Sequence, residues 1–318
     1  MRLFVQYNKD SKTGKGLFFN RIVPHLERLG CKCYYENKKC DITISPIRFR
    51  VDTGKMPKVL RIDGIHIMLD SKHGKIKDEV VRKDIKRADA VIWQSEFCKY
   101  MVCNILSAHP KREAVILNGA NPQDYNVLPA KSDYKYNVIL SSKWYTKDDE
   151  RKTKRLHDML CFAEEYTRQR KDVCFWVAGQ TNNIQSDNKR IIMLGHLEQD
   201  KLASYLKLAD VMLYLAWFDF CPNAVVESIC AGTPVICGNN GGTPEIVKKS
   251  GIILEIDDLM TPQYSYNNVP SILNKKDIVL DALELAQNTN FMMDRVDLTA
   301  EYVARKYYNL FSEVLNGN

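Results

Sequence analysis

Short apolar runs alternate with amphipathic segments along most of the chain. "RLFVQY" (2–7) has the continuous apolar character of a buried strand. "GLFFNRIVPHLERLG" has helical spacing and closes on Gly30. "DITIS" (41–45), "VLRID" (59–63), "AVIWQS" (90–95) and "EAVILNG" (113–119) predict further strands, with helices over "DEVVRKDIKRA" (78–88) and "SEFCKYMVCNIL" (95–106). A Pro/Asn/Asp-rich connector, "NGANPQDYNVLPAKSDYKY", interrupts the pattern, which then restarts. "NVILSS" (137–142), "VCFWVAG" (173–179), "RIIMLG" (190–195), "VMLYLA" (211–216) and "PVICG" (234–238) predict strands. Helices are predicted over 152–170 and 198–209, and the segment from Met293 to Leu315 predicts one long amphipathic helix.

Strand-helix alternation of this kind implies parallel α/β sheets covered by helices. The pattern divides the chain into an N-terminal Rossmann-like domain over 1–135, a second over 136–290, and a C-terminal helical segment over 291–318. The 318 residues are enough for two cores. No run of eighteen apolar residues predicts a membrane span, and the chain opens directly on a strand-like segment without a leader pattern. The ten cysteines lack paired zinc-type spacing, Cys31-Lys-Cys33 being the tightest pair, so free thiols and a reducing cytoplasm are expected.

Charge changes the picture further. Residues 1–135 carry 26 Lys+Arg against 15 Asp+Glu, and the remainder carries 20 against 24. The first half either meets an anionic partner or simply presents solvated lysines. Aromatic residues do not interleave with the basic ones in the compact manner of a single-strand nucleic-acid platform.

The densest punctuation falls in "WFDFCPNAVVESICAGTPVICGNNGGTPEIV" (217–247). Ligands of parallel α/β sheets bind at the carboxyl ends of strands. "DFCPN" follows the strand "VMLYLA", and "AVVESICAG" has helical spacing, so Asp219 belongs to a loop and Glu227 to the next helix, near one crevice. A carboxylate offers two acceptor oxygens to a diol, which suits Glu227 to a nucleotide ribose. The backbone N–H groups around Phe220 to Asn223 suit anionic or sugar oxygens. "GNNGG" permits a second close backbone approach. Residue by residue, each feature also fits an ordinary helix-surface acid or a turn glycine.

As a whole, the string resembles the nucleotide-sugar signature of the retaining GT-B glycosyltransferases, the large GT4-like family. In that signature an acid, seven intervening residues and a Glu precede a Gly-Thr-Pro-Val strand and Gly-Gly-x-Pro-Glu. "VILNGANPQDY" (115–125) and "RIIMLGHLEQDKLASYLKLADVMLYLA" are similar to flanking segments of the same family, and the last helix resembles the one that crosses back to the first domain. The amino half resembles it mainly in element order. The resemblance implies two doubly wound domains facing a cleft, the first (1–135) binding the acceptor and the second (136–290) the nucleotide sugar.

It also implies roles. Glu227 matches the acid that holds the ribose. Asp219 matches the acid of the sugar-contacting loop, usually Glu and here one methylene shorter, with Phe220, Cys221, Pro222 and Asn223 completing that loop. Arg151 and Lys154 match the diphosphate-binding cations, with Lys143 a rival for the first. Fixed cations of this kind stabilise a leaving diphosphate without a metal. Gly14 and Gly16 occupy the first glycine-rich loop, near diphosphate or acceptor. His66 matches a histidine set against the donor sugar, and Asp63 is a comparable candidate toward the acceptor hydroxyl.

The expected activity is transfer of a hexosyl or pentosyl group from a nucleotide-diphosphate sugar, with retention, no cofactor and no metal. The expected acceptor is a glycan, a lipid-linked species at a membrane surface, or a nucleic-acid base. Alternatives on the same fold are a non-catalytic nucleotide-sugar binding protein, an epimerase or a phosphorylase.

Overall fold

The computed structural model describes residues 1–10, 14–36, 39–65, 72–144, 152–182, 184–262 and 269–317. The chain separates into two compact units. One comprises Met1–Ala120, Thr261–Asn267 and Val296–Asn318, and the other Asn121–Met260 and Asn268–Arg295.

The first unit contains β1 (Arg2–Val5), α1 (Gly14–Arg28), β2 (Lys32–Tyr34), β3 (Ile42–Pro46), β4 (Lys58–Ile62), α2 (Lys72–Arg87), β5 (Ala90–Trp93), α3 (Glu96–Leu106) and β6 (Glu113–Val115). Its six strands lie in the order β2-β1-β3-β4-β5-β6, all parallel. β1, β3 and β5 are buried throughout except for Arg2, as expected for strands covered on both faces. Ser95 ends the β5 run because its hydroxyl accepts the Cys98 N–H and caps α3.

The second unit contains β7 (Tyr136–Ser141), α4 (Leu156–Gln169), β8 (Val173–Ala178), β9 (Ile191–Gly195), α5 (Gln199–Leu208), β10 (Val211–Tyr214), α6 (Asn223–Cys230), β11 (Val235–Gly238), α7 (Thr243–Val247), β12 (Gly251–Leu254) and α8 (Lys276–Gln287). Its sheet is again parallel and six-stranded, in the order β12-β11-β10-β7-β8-β9. Its core joins Val138, Leu140, Phe162, Phe175, Leu213 and Ile236 to Val279 and Leu283 of α8.

Three helix starts differ from the sequence expectation by more than two residues: α2 begins at Lys72 instead of 78, and two others begin late. The last helix, α9, covers Ala300–Leu315 rather than starting near Met293. Thr299 caps it by accepting the Tyr302 N–H, and the residues before it form a short 3-10 turn at Val296–Leu298. α9 packs on α1 in the first unit, where Tyr307 and Phe311 join Phe18 and Phe19 in one core. Likewise α4 begins at Leu156 instead of 152. Lys152–Lys154 make a 3-10 turn, and Arg155 then takes a left-handed backbone (φ 52) that interrupts the helix.

Four elements exceed the expectation. β2 is a three-residue edge strand with no apolar run, α7 is a short helix over Thr243–Val247, and β12 begins at Gly251, whose missing side chain admits the Val235 carbonyl. α8 carried a readable signal in Val279, Ala282, Leu283 and Ala286, spaced three, four and seven apart and all buried.

Candidate functional site

The second sheet changes winding direction between β7 and β10. From β7 the chain proceeds to β8 and β9 on one side, and from β10 to β11 and β12 on the other. Loops leaving two such strands diverge and leave a crevice at their carboxyl ends. The β7–α4 connection delivers Lys154 there, and the loop after β10 delivers Asp219. The two loops are joined by their backbones, since the Trp217 N–H donates to the Thr153 carbonyl at 2.8 Å.

Lys154 Nζ donates to Asp219 Oδ2 in a short ion pair and to Tyr214 Oη at 2.7 Å. Tyr214 Oη in turn donates to the same Asp219 oxygen at 3.1 Å, and the Cys221 N–H donates to Oδ1 at 3.3 Å. Lys154 and Tyr214 are buried, whereas Asp219 retains 25% of its side-chain exposure. Burial pushes the Asp219 carboxyl up. The Lys154 charge, together with hydrogen bonds from Lys154, Tyr214 and Cys221, outweighs it and holds the group below the usual carboxylate range. The pair therefore persists through neutral pH and is lost only as pH falls through that lowered value.

A second ion pair fixes the first. Arg155 forks onto Asp257, Nη1 to Oδ2 at 2.8 Å and Nη2 to Oδ1 at 2.5 Å, with both side chains 2% exposed. Its Nε donates to the Pro270 carbonyl at 3.0 Å. Bidentate geometry of this kind orients as well as attracts, so it holds the unusual Arg155 backbone and aims the preceding lysine. The loop bearing Asp257 is held by the two asparagines of "GNNGG". Asn239 Oδ1 accepts the N–H groups of Ile256 and Asp257, and its Nδ2 donates to the Asp257 carbonyl at 2.9 Å. Asn240 bridges the Asp258 carbonyl and the Met260 N–H, both at 2.8 Å. Gly241 then runs directly beneath the Asp219 backbone at φ +79, and the Gly242 N–H donates to the Asp219 carbonyl at 2.7 Å.

Glu227 is half-buried on α6, one helical turn after Asn223 and on the same face. Pro222 is the residue before α6, and Phe220 and Cys221 are buried. The Cys221 N–H faces the Asp219 carboxylate, so the loop amide expected to meet a ligand oxygen is already used within the loop. Lys143 is exposed immediately beyond β7. Arg151 and His66 lie outside the described residues.

The remaining predicted residues belong to the first unit. Gly14 opens α1 and Gly16 is buried in its first turn. Asp63 follows β4 and forms an ion pair with the buried Arg61, which also donates to Asn118 Oδ1 at 2.6 Å and lies over the Phe18 ring at 4.0 Å. Asp63 thus neutralises a buried guanidinium. In the second unit, the structure joins Asp219 directly to Lys154. It adds Tyr214, Arg155, Asp257, Asn239 and Asn240, whose side chains the sequence reading gave no role, and Gly241, one of the glycines it read as permitting a close backbone approach. A readable trace existed for Tyr214, a polar-tipped residue ending an otherwise apolar strand.

Residues 150–263 match the family model described as Glycosyl transferases group 1. An uncharacterized glycosyltransferase of Methanocaldococcus jannaschii is 23% identical over 178 residues, which make up 50% of this chain and 44% of that protein, so the match spans under half of the relative's length. Among solved structures, HepE of Anabaena in complex with UDP-glucose superposes with a TM-score of 0.63 at 13% identity, covering 98% of this chain and 99% of that one. Sucrose-phosphate synthase from Thermosynechococcus elongatus gives 0.62 at 14%, covering 98% and 83%. AviGT4, a glycosyltransferase involved in avilamycin A biosynthesis, gives 0.63 at 12%, covering 100% and 98%. At such identities the likeness establishes the fold, the two-domain α/β arrangement of GT-B glycosyltransferases.

Proposed function

We propose that this chain is a retaining, metal-independent glycosyltransferase of the GT4-like group, moving a hexosyl or pentosyl unit from a nucleotide-diphosphate sugar to an acceptor. The observation that carries the reading is the Lys154–Asp219 pair at the winding reversal of the second sheet, inside the segment matched to Glycosyl transferases group 1. In this reading Lys154, with Arg151 or Lys143, meets the diphosphate, whose charge grows as the glycosidic bond breaks. The donor competes with Asp219 for the ammonium, which frees the carboxylate for sugar hydroxyls. Glu227 accepts the ribose diol, and Phe220 to Asn223 line the sugar. His66 is assigned to the donor sugar, and Gly14 and Gly16 to the diphosphate or acceptor. No cofactor is used. The ten free thiols suit a reducing cytoplasm, and no helix among the described residues is long and apolar enough to cross a membrane.

Incubation with UDP-, GDP-, ADP- and TDP-sugars, followed by release of nucleoside diphosphate and by the anomer produced, tests this. UDP-sugars come first because HepE was solved with UDP and UDP-glucose. A panel in which no donor stabilises the protein and none is turned over ends the proposal. One observation favours a second reading, a non-catalytic nucleotide-sugar binding protein: both Asp219 oxygens already accept hydrogen bonds. Saturable donor binding without hydrolysis or transfer would select it.

Two further results are expected. Glu227→Ala should weaken nucleotide binding about tenfold to a hundredfold, the worth of a charge-assisted hydrogen bond. Calorimetry beside an unchanged circular dichroism spectrum reads this, and equal affinity removes Glu227 from the ribose role. Turnover should also persist in excess EDTA, because fixed cations carry the charge. Abolition by EDTA with rescue by Mn²⁺ would count against the metal-free mechanism.

A further inference from the structure

The loop that carries Asp219 rests on α7, because Gly242, the residue before that helix, donates its N–H to the Asp219 carbonyl. α7 has five residues and so spans about 7.5 Å. A helix this short has no independent stability in water. Thr243, Ile246 and Val247 anchor it by burial, and whatever fixes its far end also constrains its near end.

The far end needs fixing. Lys248, directly after α7, has a φ of 46 and a ψ of −115, a backbone that residues bearing a side chain rarely adopt. Such a turn persists only where its surroundings hold it. Arg295 supplies the hold. Its Nη1 donates to the Ile246 carbonyl at 2.5 Å and reaches the Val247 carbonyl and Ser250 Oγ, each at 3.3 Å. A cationic side chain on the last carbonyls of a helix is favoured electrostatically as well.

The rest of the clip involves the residues just before Arg295. Ser250 is fully buried, and its hydroxyl donates to the Met292 carbonyl at 2.6 Å. The Met292 N–H donates in return to the Lys249 carbonyl at 3.1 Å. Arg295 is also the last residue of the second unit, since Val296 belongs to the first. The clip therefore sits where the chain leaves the unit that carries the candidate site.

We propose that Arg295 is a positioning residue, acting through α7 to hold the Asp219 loop, and with it the Lys154–Asp219 pair, in the geometry that binds the donor. Its service to the donor rests on the glycosyltransferase reading; its hold on the loop does not. A purely stabilising staple would lower stability and leave the Asp219 loop as it was. Arg295→Met keeps the apolar stem and removes every donor hydrogen. Arg295→Lys keeps a charge and three donors. Arg170→Met is the control, because Arg170 staples the same unit by bridging Asp172 to Glu284 of α8, a bridge that involves neither α7 nor the Asp219 loop.

Hydrogen–deuterium exchange over 217–223 reads the loop without any ligand, and calorimetry with UDP, GDP, ADP and TDP reads binding. Arg295→Met should speed exchange in that loop. It should also weaken the best-bound nucleotide about fivefold to fiftyfold, short of the roughly hundredfold that a misplacement of about 1 Å costs. One nitrogen of Arg295 makes these contacts, so Arg295→Lys should restore both readings to within about threefold. Arg170→Met should lower the unfolding midpoint and change neither.

Unchanged exchange over 217–223 in Arg295→Met overturns the proposal, and so does an equal effect of Arg170→Met on that loop. Should Arg295→Met fail to fold, Ser250→Ala removes one arm of the clip; it should speed exchange in the same loop, and wild-type exchange there overturns the proposal too. A wild type that binds none of the four nucleotides, in a protein where the loop still answers to Arg295, would keep the clip and end the donor reading. Nucleotide binding that Arg295→Met leaves at full strength would do the opposite.

Discussion

Lys154→Ala should cut donor turnover by about a hundredfold to a thousandfold, the usual loss when one fixed charge-stabilising group is removed from a developing anion. It should also destabilise the protein, because Asp219 and Tyr214 Oη would both lose a partner that is nearly excluded from water. Removing one member of a buried pair costs about 3–5 kcal/mol, and the remaining exposure of Asp219 places this case at the lower end. The two effects separate in a double variant. Lys154→Met with Asp219→Asn removes both charges, so most of the lost stability should return in urea unfolding while turnover stays absent. Recovery of turnover together with stability would show that the lysine matters only for folding. Full activity in Lys154→Ala itself would take the ammonium out of the mechanism.

The sequence made the alternation legible, and with it both sheets, because strands buried on two faces leave continuous apolar runs such as "VILS" and "VCFWVA". It was weaker at edges. β2 has three residues, none needing to be apolar at the margin of a sheet. The start of α9 was set by a cap at Thr299 that competes with the apolar spacing upstream. In the candidate site, spacing alone put Asp219 on a loop and Glu227 on a helix. What it could not show is that Asp219 belongs to Lys154, since 65 residues separate them and only the winding of the sheet brings them together. Arg155 was hidden for a different reason. A non-glycine residue in a left-handed backbone is recognised from its dihedral and from Asp257, 102 positions away, and neither is a local property. "GNNGG" was read as one close approach permitted by glycine. Its asparagines turn out to work as well, holding the loop that carries Asp257.

The glycine in that string supports the last and most discriminating expectation. A Cβ at Gly241 would stand 2.7 Å from the Asp219 carbonyl oxygen and 2.8 Å from its amide nitrogen, distances that real Cβ atoms do not adopt against backbone. Its φ of +79 adds strain for any L side chain, about 1–2 kcal/mol. Gly232 makes an apt control, because it has a similar φ of +90 but nothing within 4 Å of its Cβ position. Gly232→Ala should therefore cost only the backbone strain and leave nucleotide affinity as it was. Gly241→Ala should cost that strain plus the displacement of the Asp219 loop, and the displaced carboxylate should loosen its hold on Lys154. Thermal unfolding and nucleotide calorimetry on the two variants read both consequences. The expected pattern is a larger loss of stability for Gly241→Ala, accompanied by a drop in donor affinity of about tenfold or more, the price of roughly one misplaced charged contact. If both alanines lower stability equally and neither touches the donor, the glycine loop is a turn and nothing more, and the Asp219 backbone does not depend on it.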